Sequence, residues 1–290
     1  MKEKPIKRVA AIHDLSGFGK ASLNVVIPIL SSMKIQVCPV PTAILSTHTG
    51  GFENYTFLDL TDYMEEYINH WKKLELSFDA IYSGFLGSEK QIDIVSDFID
   101  YFSKKNESLV VVDPVMGDDG VLYPTITTDL VNQMRKLVSK SEVITPNFTE
   151  ACFLLGEHYR EDISVDTLKK WLKTLSKIGP KMVIITSVPE KDATRTGVIA
   201  YNSYDNRYWK VTNRHIRALY PGTGDAFTSV IVGSLLNGDS LSIAIDRATQ
   251  FVIMALKASY GYNYPKREGI LLEKVLDTLN MPTTLQSYEI

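Results

Sequence analysis

The chain has 290 residues, with 31 lysines and arginines against 34 aspartates and glutamates, for a formal net charge of −3. Hydrophobic residues make up 44% and charged residues 22%, so a large core can form without a disulfide or metal staple. A balance this near neutral, with no basic block, argues against a constitutive nucleic-acid or membrane-surface binder. The N-terminal stretch holds only a short apolar run, Val9–Ile12, too brief for a signal-peptide core, and no run reaches membrane-spanning length. Cys38 and Cys152 lie far apart among apolar residues and read as reduced thiols, and the five histidines form no metal-binding pattern. A cytoplasmic protein is expected.

Strand-like and helix-like segments alternate along the chain. The strand candidates are Arg8–His13, Ile35–Val40, Ala80–Ser83, Leu109–Asp113, Glu142–Thr145, Lys181–Thr186, Gly197–Tyr201 and Tyr208–Thr212. Most are short β-branched runs without polar alternation, as in strands covered on both faces. Between them, Ile92, Val95, Phe98, Ile99 and Phe102 follow helical spacing after the N-cap candidate Ser88. A second stripe runs from Leu241 to Ala255 after Asp239 and Ser240. The alternation predicts an α/β fold, a three-layer αβα sandwich around a mostly parallel sheet, with a local hairpin across Asn202–Asn206. No linker or repeat divides residues 1–290, so a single domain is expected.

In such sheets ligands bind beyond the carboxyl ends of the strands, where four segments stand out. The first is His13-Asp14-Leu15-Ser16-Gly17-Phe18-Gly19-Lys20-Ala21-Ser22. Gly19-Lys20 lacks the following Ser or Thr of a phosphate loop. Gly17-x-Gly19-x-x-Ser22 lacks the third glycine and the later ribose-binding acid of a dinucleotide site. A dehydrogenase is therefore disfavoured. The second segment, Val112-Asp113-Pro114-Val115-Met116-Gly117-Asp118-Asp119-Gly120, crowds carboxylates after an apolar strand, which suits a hydrated magnesium ion. In the third, Asn147 and Glu150 read equally well as a helix capping box or as site residues. The fourth is Gly222-Thr223-Gly224-Asp225 before an apolar helix, where backbone N–H groups and the helix dipole make an anion hole with a carboxylate beside it.

Together with Leu45–Gly50 and Ser83–Gly87, these segments resemble the ribokinase-like small-molecule kinases, and within them the pyridoxal kinases. The resemblance runs from Ile12 to about Ala258. It implies a homodimer, and transfer of phosphate from ATP·Mg²⁺ to the 5′-hydroxymethyl group of a B6 vitamer, with a monovalent cation such as K⁺ as a further cofactor. By the same resemblance Asp225 is the base and touches the vitamer, and Gly222, Thr223 and Gly224 hold the phosphoryl group. Asp113, Asn147 and Glu150 position the ATP phosphates and magnesium, largely through water, with Asp113 and Glu150 on the metal side; Thr186 touches the phosphates, and Thr212, in the stretch Lys210–Asn213, flanks the nucleotide. Asp14, Thr49 and Phe85 line the pyridine ring, and a flap at about 117–125 covers the reaction. Asp14-Leu15-Ser16-Gly17 also resembles the hydroxymethylpyrimidine kinases, the alternative reading. Those relatives often carry Cys at the position of Asp225.

Overall fold

The computed structural model describes residues 5–216 and 220–290. The first half contains β1 (Arg8–Phe18), α1 (Leu23–Ser32), β2 (Gln36–Thr47), β3 (Phe57–Asp59), α2 (Thr61–Lys73), β4 (Ala80–Ser83), α3 (Glu89–Asn106) and β5 (Leu109–Val112). A small hairpin follows, β6 (Gly117–Asp118) and β7 (Val121–Leu122), then α4 (Thr128–Val138), β8 (Val143–Ile144), α5 (Phe148–Leu155) and α6 (Val165–Ile178). The remainder is β9 (Met182–Pro189), β10 (Arg195–Asn202), β11 (Arg207–Arg214), α7 (Thr223–Leu236), α8 (Leu241–Tyr260) and β12 (Tyr288–Glu289).

All the strands outside the small hairpin form one sheet, in the order β12-β11-β10-β9-β8-β5-β4-β1-β2-β3. From β9 to β2 the pairing is parallel; β3 and the β10–β12 side are antiparallel. Successive side chains point to opposite faces, so each apolar strand feeds two cores. Ala10, Ile12, Ile81, Val112 and Val183 face one core with α2–α6. Val9, Ala11, Tyr82, Val111 and Ile184 face the other with α1, α7 and α8. This is the expected αβα sandwich.

The sequence reading ends the first two strands too early. Pairing of β1 with β2 continues beyond His13↔Pro41 to Leu15↔Ile44 and Phe18↔Thr47, across an irregularity at Asp14. Asp14 thus lies inside β1 rather than at the end of a strand, opposite the extra residue that β2 inserts between Pro41 and Ile44, and such a bulge re-aims side chains locally. Pro39 and Pro41 in β2 masked the continuation, since proline reads as a strand breaker. Strands β3 and β12 escaped notice because they are short and exposed, without an apolar pattern.

The 117–125 segment is the β6–β7 hairpin. Asp119 and Gly120 turn it with φ of 47° and 79°, the left-handed pair that a tight hairpin requires. A side chain at Gly117 would strike the Val121 carbonyl.

Candidate active site

Strand order turns distant segments into neighbours. From β9 to β2, the carboxyl side of the parallel strands carries Thr186, then Asn147 with Glu150, then Asp113, Phe85, Asp14 and Thr49. Asp225 enters from the first turn of α7.

The α7 N-terminus has no side-chain cap, so its leading N–H groups stay open to a ligand. Gly222 holds φ 86°, and a Cβ there would lie 2.5 Å from the Lys20 carbonyl oxygen, so only glycine fits. Gly224 differs. Its φ is ordinary, and nothing lies within 4 Å of the position a Cβ would take. Packing therefore does not demand glycine there, whereas an anion seated on the amides needs the room.

Four carboxylates line up beneath this opening. Glu150 is raised well above its ordinary pKa by burial and then by Asp113. Asp113 is pushed up to about 7 by burial and by Asp225. Asp225 is pushed up to about 6 by burial, with a further contribution from Asp14, which is itself raised by burial. Each has its own donors. Glu150 accepts from the Met116 and Asn147 amides at 3.1 and 2.7 Å, and Asn147 Oδ1 accepts from the Glu150 amide at 2.8 Å. The Thr228 hydroxyl faces Asp113 at 3.2 Å and Thr145 at 2.9 Å. Asp225 accepts from the Ser22 amide at 2.8 Å, and Asp14 from the Ser22 hydroxyl at 2.5 Å.

Both readings of Asn147 and Glu150 meet here. The capping box forms in full, yet the same carboxylate stands next to Asp113. Asn147 also donates to the Gly117 carbonyl at 2.8 Å, and Thr149 accepts from the Gly120 amide at 2.8 Å, so the α5 N-terminus anchors the flap hairpin. Thr186 bridges to Asn147 and donates its amide to Pro146. Among the described residues, no three His, Cys, Asp or Glu side chains converge as direct metal ligands.

Three expected residues make no hydrogen bond to the carboxylates among the described contacts. Thr49 is exposed in the loop after β2. Beside it the neutral His48 bonds the Arg267 carbonyl and accepts from the Gly50 amide. Phe85 is half-buried beyond β4. Thr212 lies on β11, facing Glu190 at 3.4 Å, beside a cleft of about 450 Å³ lined by Asp192, Thr194, Arg195, Asn213 and Arg214.

Sequence reasoning missed Thr228, Ser22 and Tyr123. Thr228 is one turn beyond Asp225 on α7 and could have been found by helical spacing. Tyr123, in the segment after β7, has its phenol pKa raised by burial and then by the charges of Glu150, Asp118, Asp113 and Asp225.

A family model described as phosphomethylpyrimidine kinase matches residues 27–269. A Bacteroides thetaiotaomicron protein, provisionally called a phosphomethylpyrimidine kinase and crystallised with pyridoxal, is 56% identical. It superposes with a TM-score of 0.94, covering 98% of this chain and 100% of its own. The pyridoxal kinase of Lactobacillus plantarum is 31% identical, with a TM-score of 0.86 over 94% of this chain and 96% of its own. A pyridoxine/pyridoxal/pyridoxamine kinase of Bordetella avium is 28% identical over 258 residues, 86% of this chain and 84% of that one. The chain belongs to the phosphomethylpyrimidine kinase family, within the ribokinase-like small-molecule kinases. There it groups with the pyridoxal kinases.

The raised carboxylates make a stability prediction. A buried acid whose folded pKa exceeds its unfolded value stabilises the fold while protonated, and that stability is lost as pH rises through the folded pKa. For Asp113 the window runs from the ordinary 3.8 up to about 7. Asp113→Asn should therefore melt above the wild type at pH 8, by the equivalent of about 1 kcal/mol or more, with the gap shrinking by pH 5. Thermal unfolding of both proteins across that range checks it, and a variant less stable at pH 8 contradicts it.

Proposed function

We propose that this kinase transfers the γ-phosphoryl group of ATP to the 5′-hydroxymethyl group of a B6 vitamer. The observation that carries the reading is Asp225, a half-buried carboxylate with its pKa near 6, set in the first turn of an uncapped helix beside an open glycine. At neutral pH such a group is mostly ionised yet more basic than an ordinary aspartate. It takes the proton of the vitamer hydroxyl as the oxygen attacks the γ-phosphorus and ADP leaves. The amides from Gly222 to Gly224 hold the phosphoryl oxygens, and preorganised donors of this kind supply the larger electrostatic share of such catalysis.

The nucleotide lies toward β9 and β11, where Thr186 adjoins Asn147 and the cleft beside Thr212 carries Arg195 and Arg214. Asp113 and Glu150 repel each other, and a divalent cation such as Mg²⁺ fits beside them, held through water. When bound it offsets the charge of the phosphates. The vitamer lies toward β1 and β2, with Asp14, Thr49 and Phe85 around its ring. The flap, tied to Asn147 and Thr149, covers the transfer and keeps water from taking the phosphate.

Two further readings belong with this one. Ile44, Phe57, Leu58, Tyr63 and Tyr67 are exposed on the β2–β3 edge and α2. A second copy of the chain covers this edge in a homodimer, because a monomer seldom leaves such an edge bare. Among the described residues no helix is long and apolar enough to cross a membrane. Both cysteines are free, and the use of ATP puts the enzyme in the cytoplasm.

Asp225→Asn keeps shape and hydrogen bonding but removes the base. Turnover should fall roughly 10²–10⁴-fold while vitamer and ATP affinity change little. In the wild type, kcat/KM for the vitamer should rise with pH through about 6, and the variant should lack that limb. ADP formation assayed with the B6 vitamers and with hydroxymethylpyrimidine decides the substrate; preference for the pyrimidine sinks the vitamer reading. Sedimentation velocity should find a dimer, converted to monomer by Leu58→Asp. A wild-type monomer refutes the interface.

A further inference from the structure

Among the described residues, five helices begin at a serine or threonine, and one of those residues behaves differently. Ser88, Thr127, Ser164 and Ser240 each accept the amide three residues on, as N-caps do. Ser22, at the N-terminus of α1, makes no such bond. Its hydroxyl donates instead to Asp14 at 2.5 Å, while its amide donates to Asp225 at 2.8 Å. Ser22 is only 6% exposed. Its backbone, at φ 52° and ψ −128°, sits where glycine is at ease and serine is strained. A residue that forgoes its capping bond and tolerates a glycine conformation needs a reason, and the two carboxylates give one.

We infer that Ser22 is a positioning residue that fixes Asp14, on the vitamer side, relative to Asp225, the base. Asp14 sits opposite a bulge in β2 and Asp225 on a helix more than two hundred residues away in sequence. Their like charges would drive them apart. Ser22 gives each carboxylate a donor from the same residue, so the ring-facing acid and the base hold one spacing. The conformation at φ 52° is what turns its amide and hydroxyl toward the two acids together. Glycine would be the more stable choice here, but it lacks the hydroxyl that Asp14 needs. The inference rests on the kinase reading above and adds to it the residue that sets vitamer placement.

Ser22→Gly and Ser22→Ala separate hydroxyl from strain. Both lose the donor to Asp14, and vitamer KM should rise about tenfold in each, the usual effect of losing a hydrogen bond to a charged group. The KM for ATP should stay within about twofold, because the nucleotide side makes no contact with Ser22. Melting temperature separates strain from hydrogen bonding: Ser22→Gly should melt about 2 °C above Ser22→Ala, which keeps the strained backbone. A merely structural serine would lower the melting temperature without raising the vitamer KM. The inference is overturned by a vitamer KM for Ser22→Gly within about twofold of wild type, or by a Ser22→Gly melting point at or below that of Ser22→Ala. Wild-type turnover on pyridoxal is the control. Its absence overturns the kinase reading and this inference with it, whereas an active wild type beside unshifted variants overturns the inference alone.

Discussion

Like charge held close together is the constraint on which this site depends. Burial raises the pKa of Glu150, Asp113, Asp225 and Asp14 alike, and on top of that Asp14 raises Asp225, Asp225 raises Asp113 and Asp113 raises Glu150. This file exists because strand order places the ends of β8, β5 and β1 near one another and α7 returns above them. Left alone, such a set destabilises the fold at neutral pH. The chain limits the cost with local donors: two amides for Glu150, a threonine for Asp113, and the two arms of Ser22 for Asp225 and Asp14. What remains uncompensated is a site that favours positive charge.

The same economy joins scaffold to chemistry. The capping box of α5 ends the strand-to-helix turn, and it also points Glu150 at Asp113 and ties Asn147 to the flap. The glycines of the α7 turn divide their tasks. Gly222 is required by the nearby Lys20 carbonyl, and Gly224 leaves empty space where an anion would rest. The β6–β7 hairpin, the α7 turn and the carboxylates thus share supports.

Much of this was legible in the sequence, and the exceptions have physical causes. The parallel strands announced themselves as short apolar runs because both of their faces are buried. The Asn147–Glu150 spacing and the Gly222–Asp225 run carry local geometry that needs no partner from elsewhere in the chain. The irregularity at Asp14 was not legible, because an extra residue in the pairing strand β2 creates it and no residue near Asp14 marks it. Ser22 was hidden more deeply. A serine before a helix reads as a cap, and only the tertiary approach of Asp14 and Asp225 shows that its donors serve them. Tyr123 carries no motif, and the effect of the acids on its phenol depends on how the hairpin folds over α5.

The central claim is that burial and crowding keep protons on Asp113 and Glu150 until positive charge arrives. Titration calorimetry of Mg·ADP binding, run at neutral pH in buffers of different ionisation enthalpy, counts the protons exchanged. The account predicts net proton release by the wild type at pH 7, less release by Asp113→Asn, and no difference between them above about pH 8.5. Equal proton counts for the two proteins at pH 7, or net uptake by the wild type, would contradict it.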